Sequence, residues 1–172
     1  MRGIAAAAFG AALTLAPQVH AMDLASPDVV QGYSLGNAQL YPECGGANIA
    51  PQLAWSGAPA GTKSFAVTLY DPDAQGGWWH WVVYNIPADA KGLARGGVPA
   101  PGALAGDNDF GTRGYGGACP PPGSGPHHYQ FTVWAMGTAI LPLEGATEDK
   151  MIGAYIRTHA LASATIVATY ER

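Results

Sequence analysis

Charge is scarce in this chain. Only 12% of its 172 residues are Asp, Glu, Lys or Arg, against 48% hydrophobic ones. That balance excludes a disordered polymer and leaves enough apolar material for one folded domain. Positive charge is scarcer still. The net charge of −4 and the lack of any basic run exclude an electrostatic footprint for nucleic acid. There is no apolar stretch long enough to cross a bilayer comfortably; the best run, Ile4 to Ala16, is too short. No Gly-x-Ser-x-Gly and no His-Glu-x-x-His motif occurs, so neither common hydrolase signature is present. Internal repeats and linkers are absent too.

What is there begins with an N-terminal targeting pattern. Arg2 starts it, the apolar run follows, Pro17 breaks the run, and Val19-His20-Ala21 offers a small-residue cleavage site. Residues 1–21 therefore read as a signal peptide and 22–172 as the mature domain, exported to a periplasmic or extracellular space. The chain has two cysteines, Cys44 and Cys119, both in Gly/Pro-rich stretches. In an exported chain that even count favours a disulfide between them.

Glycine (24) and proline (14) are spread along the chain, as in a protein of many turns and short strands. Ser64–Tyr70 alternates, with Phe65, Val67 and Leu69 on one face. Trp79–Ile86 and His128–Met136 are further strong strands, the latter with Tyr129, Phe131, Val133 and Ala135 on one face. Gln52–Trp55 and Ala164–Tyr170 complete the strands. Residues 88–126 show no convincing regular element, and a loop of that length inside a compact domain is usually functional. One helix is predicted near the C-terminus. Thr147 is its candidate N-cap, Glu148 and Asp149 lie in its first turn, and Met151, Ala154, Tyr155 and Thr158 follow at helical spacing. The reading is a mostly β domain, a sandwich with one C-terminal helix and a long loop.

Unusual polar residues gather where loops meet strands. Asp71-Pro72-Asp73 follows the first strong strand, and His80 opens the next between Trp79 and Trp81. His127 and His128 enter the third; they point to opposite faces, so one of them at most faces a pocket. If the three strands are neighbours, these groups share one end of a sheet. Carboxylate, imidazole, Tyr hydroxyls and free N–H groups of a Gly-rich loop then suit a phosphate or carboxylate ligand.

These runs also resemble a known family. Asp71-Pro-Asp-Ala74 with Gly77-Trp-Trp-His80-Trp-Val-Val83 and Asn85-Ile-Pro87 is similar to the first signature of the phosphatidylethanolamine-binding (Raf-kinase-inhibitor-like) family. Asp109-Phe-Gly111, Gly114-Tyr-Gly-Gly117, Cys119-Pro-Pro121 and His127-x-Tyr129-x-Phe131 look like its second signature in the bacterial form. Cys44-Gly-Gly-Ala-Asn48-Ile-Ala-Pro51 and the C-terminal Thr158–Ala162 and Tyr170-x-Arg172 agree with that branch. The resemblance implies a β-sandwich with a pocket for a small anion such as phosphate, phosphoethanolamine or a carboxylate. It implies Asp71, Asp73, His80, His127 and Tyr129 as pocket residues, with Tyr115, Gly116, Cys119 and Pro120 in the loop whose amides face the anion. No catalytic residue, metal site or cofactor is implied. The expected function is binding, with a protein partner modulated in turn. The alternative is an enzyme that uses the same Asp, His and Tyr groups as acid and base on a carboxylate or phosphoryl substrate. The chain departs from the pattern at Gln75 and Ala118, where proline is usual, and at His128, where a permanent arginine charge is usual.

Overall fold

The computed structural model describes residues 21–97, 101–143 and 148–172. The expected signal peptide lies outside these residues, except for Ala21. The described residues form eight strands and one α-helix: β1 (Asp23–Ala25), β2 (Leu53–Ser56), β3 (Ser64–Asp71), β4 (Trp78–Pro87), β5 (Gly92–Leu93), β6 (Leu104–Ala105), β7 (His127–Met136), α1 (Asp149–His159) and β8 (Ala160–Tyr170). A small sheet runs β1-β2-β5 and a large one β6-β4-β3-β7-β8, with every strand pair antiparallel. The three strong strands are neighbours, β3 lying between β4 and β7.

Strand alternation builds the sandwich. Phe65, Val67 and Leu69 of β3, with Phe131 and Val133 of β7, pack against Leu53 and Trp55 of the small sheet in one core. The opposite face of the large sheet carries Ala66, Val82 and Tyr84, and α1 covers it with Ile152 and Ile156. Burying a side chain such as Ile152 or Ile156 contributes about 1.5–3 kcal/mol.

The helix is present, but its buried face is not the one the spacing suggested. Met151 is exposed, while Asp149, Ile152, Gly153 and Ile156 are buried. Two sets of positions have helical spacing in this segment, and Gly153 decides between them. A Cβ at Gly153 would overlap the Trp79 indole, so only this bare backbone lets the ring seat against the helix. Thr147 lies outside the described residues; the N-cap position is occupied by Glu148, without a side-chain capping bond. Within 88–126 only the two-residue strands β5 and β6 form among the described residues. No helix among the described residues is long and apolar enough to cross a membrane.

Candidate functional site

The end of β3, the start of β4 and the start of β7 lie level, because Tyr70 pairs with Trp79 on one side and Gln130 on the other. Asp71 and Tyr129 follow the alternation of their strands onto the sandwich face. His80 reaches that face by a different route. Tyr70 pairs with Trp79 but Leu69 pairs with Trp81, so His80 is an extra residue in β4. In an unbroken strand His80 would share the helix-side face with Val82. The bulge re-aims it toward the sandwich side, where its ring meets Tyr129 edge-on at 5.3 Å.

Asp71 is 2% exposed and fully engaged. Its Oδ2 accepts from Nδ1 of His127 at 2.6 Å, and its Oδ1 accepts the amides of Asp73 and Ala74 at 2.8 and 3.3 Å. Asp73 forms a parallel pair with the next histidine: its Oδ2 takes the amide and the Nδ1 of His128 at 2.7 and 2.8 Å. Partial burial pushes the Asp73 carboxyl up, but the His128 hydrogen bonds outweigh it and leave the group below the usual carboxylate range. His127 is buried and His128 exposed, one on each side of the pleat.

His80 is neutral. Burial pushes its pKa down to about 4, against the opposing pull of the Gly116 carbonyl, Asp71 and Asp109. The carbonyl of Gly116 lies 2.9 Å from its Nδ1 and can only accept, so the proton sits on Nδ1 and Nε2 carries a lone pair. His80 is buried without a counter-charge bonded to it, so it brings no positive charge to the cleft. Burial also raises the Tyr129 hydroxyl, and the Asp71 charge raises it further.

A cleft of about 710 Å³ opens over these groups. Of the residues singled out in the sequence, Asp71, Asp73, His80, Cys119, Pro120, His127 and Tyr129 line it. Tyr115 and Gly116 do not. The Tyr115 hydroxyl donates to the Gln39 carbonyl at 2.9 Å and its ring packs edge-on against Trp81. The amides of 116–118 are not free either: Gly116 donates to His80, Gly117 to Asn48 Oδ1 and Ala118 to Gln39. Gly117 passes so close to Gln39 and Leu40 that a Cβ there would overlap their backbone. The loop is thus pinned as a structural wall. Asn48 clamps it by a second bond, from Nδ2 to the Tyr115 carbonyl.

The cleft contains residues the sequence reading did not select. Trp78, Phe110, Glu43 and Ser124 all line it. Phe110 stacks on Tyr41 at 4.0 Å and meets Trp78 edge-on, and Asn108 holds its loop by accepting the amides of Phe110 and Thr112. Glu43 had a signal: it precedes Cys44, and Cys44 is disulfide-bonded to Cys119, with Cα atoms 5.5 Å apart. Ser124 sits between two glycines, three residues before His127; its Oγ is 3.1 Å from His127 Nε2. Among the described residues, no arginine or lysine lines the cleft. Among the described residues no cluster of three or more His, Cys, Asp or Glu is arranged to hold a metal ion.

Fold and cleft together define a two-sheet β-sandwich protein with a cleft, apolar in part and set with acid and imidazole groups, at one end of its large sheet. A sequence profile described as Phosphatidylethanolamine-binding protein matches residues 25–171. The UPF0098 protein YbcL of Escherichia coli (strain K12) is 44% identical over 169 residues, covering 92% of this chain and 92% of YbcL. YbhB of the same organism is 44% identical over 159 residues, covering 87% of this chain and 100% of YbhB. The putative lipoprotein LppC of Mycobacterium tuberculosis (strain ATCC 25618 / H37Rv) is 38% identical over 161 residues, covering 93% of this chain and 77% of LppC. The crystal structure of E. coli YbcL, described as a new member of the mammalian PEBP family, superposes with a TM-score of 0.84 at 42% identity. It covers 89% of this chain and 99% of that one. This chain belongs to the phosphatidylethanolamine-binding protein family.

Proposed function

We propose that the cleft binds a small anion, a phosphate or carboxylate group of a larger molecule, and that the protein works by binding it outside the cytoplasm. The observation that supports this best is the convergence of Asp71, His80, His127 and Tyr129 from three strands into one cleft with buried polar groups. The Asp71 bond fixes His127 Nδ1, so its Nε2 is the edge turned to a ligand. His80 adds a lone pair, so the favoured ligand keeps a proton of its own and carries a single negative charge, as dihydrogen phosphate or a monoprotonated phosphate ester does. The three carboxylates in the lining, Glu43, Asp71 and Asp73, work against a bare dianion. Phosphate, phosphoethanolamine and acetate are the probes of choice. Titration calorimetry tests the reading: wild type binds at least one of them, and His127→Ala weakens it by roughly 10-fold or more. Equal affinity in the two proteins rejects it.

Export is part of the same proposal. The pattern in residues 1–21, the disulfide and the lipoprotein name of the relative LppC support it. N-terminal sequencing of the mature protein should find Met22 first. A bound ligand then has a route to a partner: it fills the cleft whose rim carries Glu43, Phe110 and Ser124, and so changes the surface a partner meets.

A further inference from the structure

Ser124, His127 and Asp71 form a continuous hydrogen-bonded relay. Ser124 Oγ lies 3.1 Å from Nε2 of His127, and Nδ1 of His127 lies 2.6 Å from Oδ2 of Asp71. The order and the atoms are those of a nucleophile, a general base and a base-orienting carboxylate. The burial follows the same order: Asp71 and His127 are 2% and 5% exposed, while Ser124 is exposed at the cleft.

The relay has a direction. Asp71 accepts at both oxygens, two amides on Oδ1 and the imidazole on Oδ2, which suits the carboxylate form. Its contact places the imidazole proton on Nδ1. A neutral His127 therefore turns a lone pair on Nε2 toward Ser124. The hydroxyl proton has a second acceptor, the Pro121 carbonyl at 2.8 Å, and rotation about the Cβ–Oγ bond moves it from one to the other. The backbone holding Ser124 is also tied down. Its amide donates to Pro121 at 3.2 Å and the neighbouring Gly123 amide donates to the Arg172 carbonyl at 2.8 Å. Three prolines, at 120–122, stiffen the approach.

We propose that Ser124 is an activated nucleophile that takes the acyl group of small carboxylic esters, with His127 as general base and Asp71 as its orienting partner. Oγ attacks the ester carbonyl and forms a C–O bond as its proton passes to Nε2 of His127. The tetrahedral intermediate collapses, the bond to the alcohol oxygen breaks, and that oxygen leaves with the proton from Nε2. Water, deprotonated by the same imidazole, then cleaves the acyl-serine to the carboxylic acid and restores Ser124. Cys119 lines the cleft, and its amide has no intramolecular acceptor among the described residues, so it is one backbone donor on offer to the oxyanion. Trp78, Phe110 and Tyr129 bound the space for a small acyl chain. This activity goes beyond ligand binding and does not rest on it.

Site-resolved labelling is the test. The mature protein is incubated with p-nitrophenyl acetate or with a fluorophosphonate, and the adduct is located by intact mass and peptide mapping. One acetyl or phosphonyl group on Ser124 is expected, with a matching burst of nitrophenol. Ser124→Ala, a change on an exposed turn, should abolish the adduct while leaving the melting temperature unchanged. His127→Gln should slow labelling of Ser124 by about 100-fold or more, the usual contribution of a general base. Wild-type protein left unmodified at Ser124, or labelled only elsewhere, overturns the proposal whatever the variants do. Phosphate binding without any Ser124 adduct overturns it and leaves the binding function standing. An adduct without phosphate binding supports it and removes the binding function.

Discussion

Asp71 Oδ2 lies 2.6 Å from Nδ1 of His127, a residue 56 positions further along the chain, and both side chains are buried. The bond joins the end of β3 to the start of β7 and orients the imidazole in the cleft. Asp71→Asn keeps the shape but offers His127 a neutral acceptor and sets an amide N–H against two backbone amides. Loss of a hydrogen bond to a charged group is worth about 1.5–3 kcal/mol. Denaturant titration should find the variant less stable by about 2 kcal/mol. A change under 0.5 kcal/mol would show that the pair carries no folding energy.

Asp149 sets a pH dependence at the other side of the large sheet. It is completely buried, and a backbone contact at Val82 offsets only part of the cost of charging it. Burial, helped by Asp109 and Asp107, pushes its pKa up to about 8 from 3.8. Between those values the unfolded chain has released this proton and the folded chain has not, so rising pH favours unfolding. His80 acts with the opposite sign, losing stability as pH falls from 6.5 to about 4. Above pH 6.5 the His80 contribution no longer changes, and Asp149 should lower stability by about 2 kcal/mol between pH 6.5 and 8. Asp149→Asn should remove that slope in chemical denaturation series across these pH values; an unchanged slope assigns it to another group.

Gly153 lies inside α1, where replacement of glycine by alanine normally stabilises by up to about 1 kcal/mol. Here the added methyl would overlap the Trp79 ring. Overpacking of this kind costs about 1–3 kcal/mol. Gly153→Ala should lower the melting temperature, whereas Ala at exposed Thr158 should not.

The Cys44–Cys119 bridge closes a span of 75 residues and joins two walls of the cleft through Glu43 and Pro120. In the chain-entropy description a loop of this length contributes roughly 4 kcal/mol. Reduction should lower the melting temperature and weaken phosphate binding together, since a loosened wall must be ordered by the ligand. Thiol counting on the denatured, unreduced protein should find no free thiol. A melting temperature insensitive to reductant would locate the loop's order elsewhere, in Asn48 and its bonds to Tyr115 and Gly117.

Much of the fold was legible because it rests on short-range pattern. Alternation over 64–70 and 128–136 identifies strands whose one face must be buried, and Gly and Pro mark where they stop. The disulfide was legible from the even count and the export pattern. Half of the residues that line the cleft could be read from motif order, Asp71, His80 and His127 among them because they stand near strand ends. Tyr115 was misplaced because a tyrosine in a glycine-rich loop looks the same whether it faces a ligand or, as here, packs against Trp81.

The sequence by itself determined the class of the protein: β-rich, low in charge, with acid and imidazole groups at three loop–strand junctions. Tertiary structure alone decided how those groups are used. The bulge that turns His80 off the Val82 face comes from the pairing of β4 with β3, and pairing between strands leaves no mark in local alternation. The charge state of His80 depends on burial, which the whole fold sets. The face that α1 buries was decided by Trp79 seating against Gly153, a contact between segments more than seventy residues apart. The neighbours of Ser124 were settled in the same way, because Asp71 reaches His127 only when β3 and β7 pair. Periodicity records which side of an element is apolar; contacts between distant segments exist only once the chain has closed on itself.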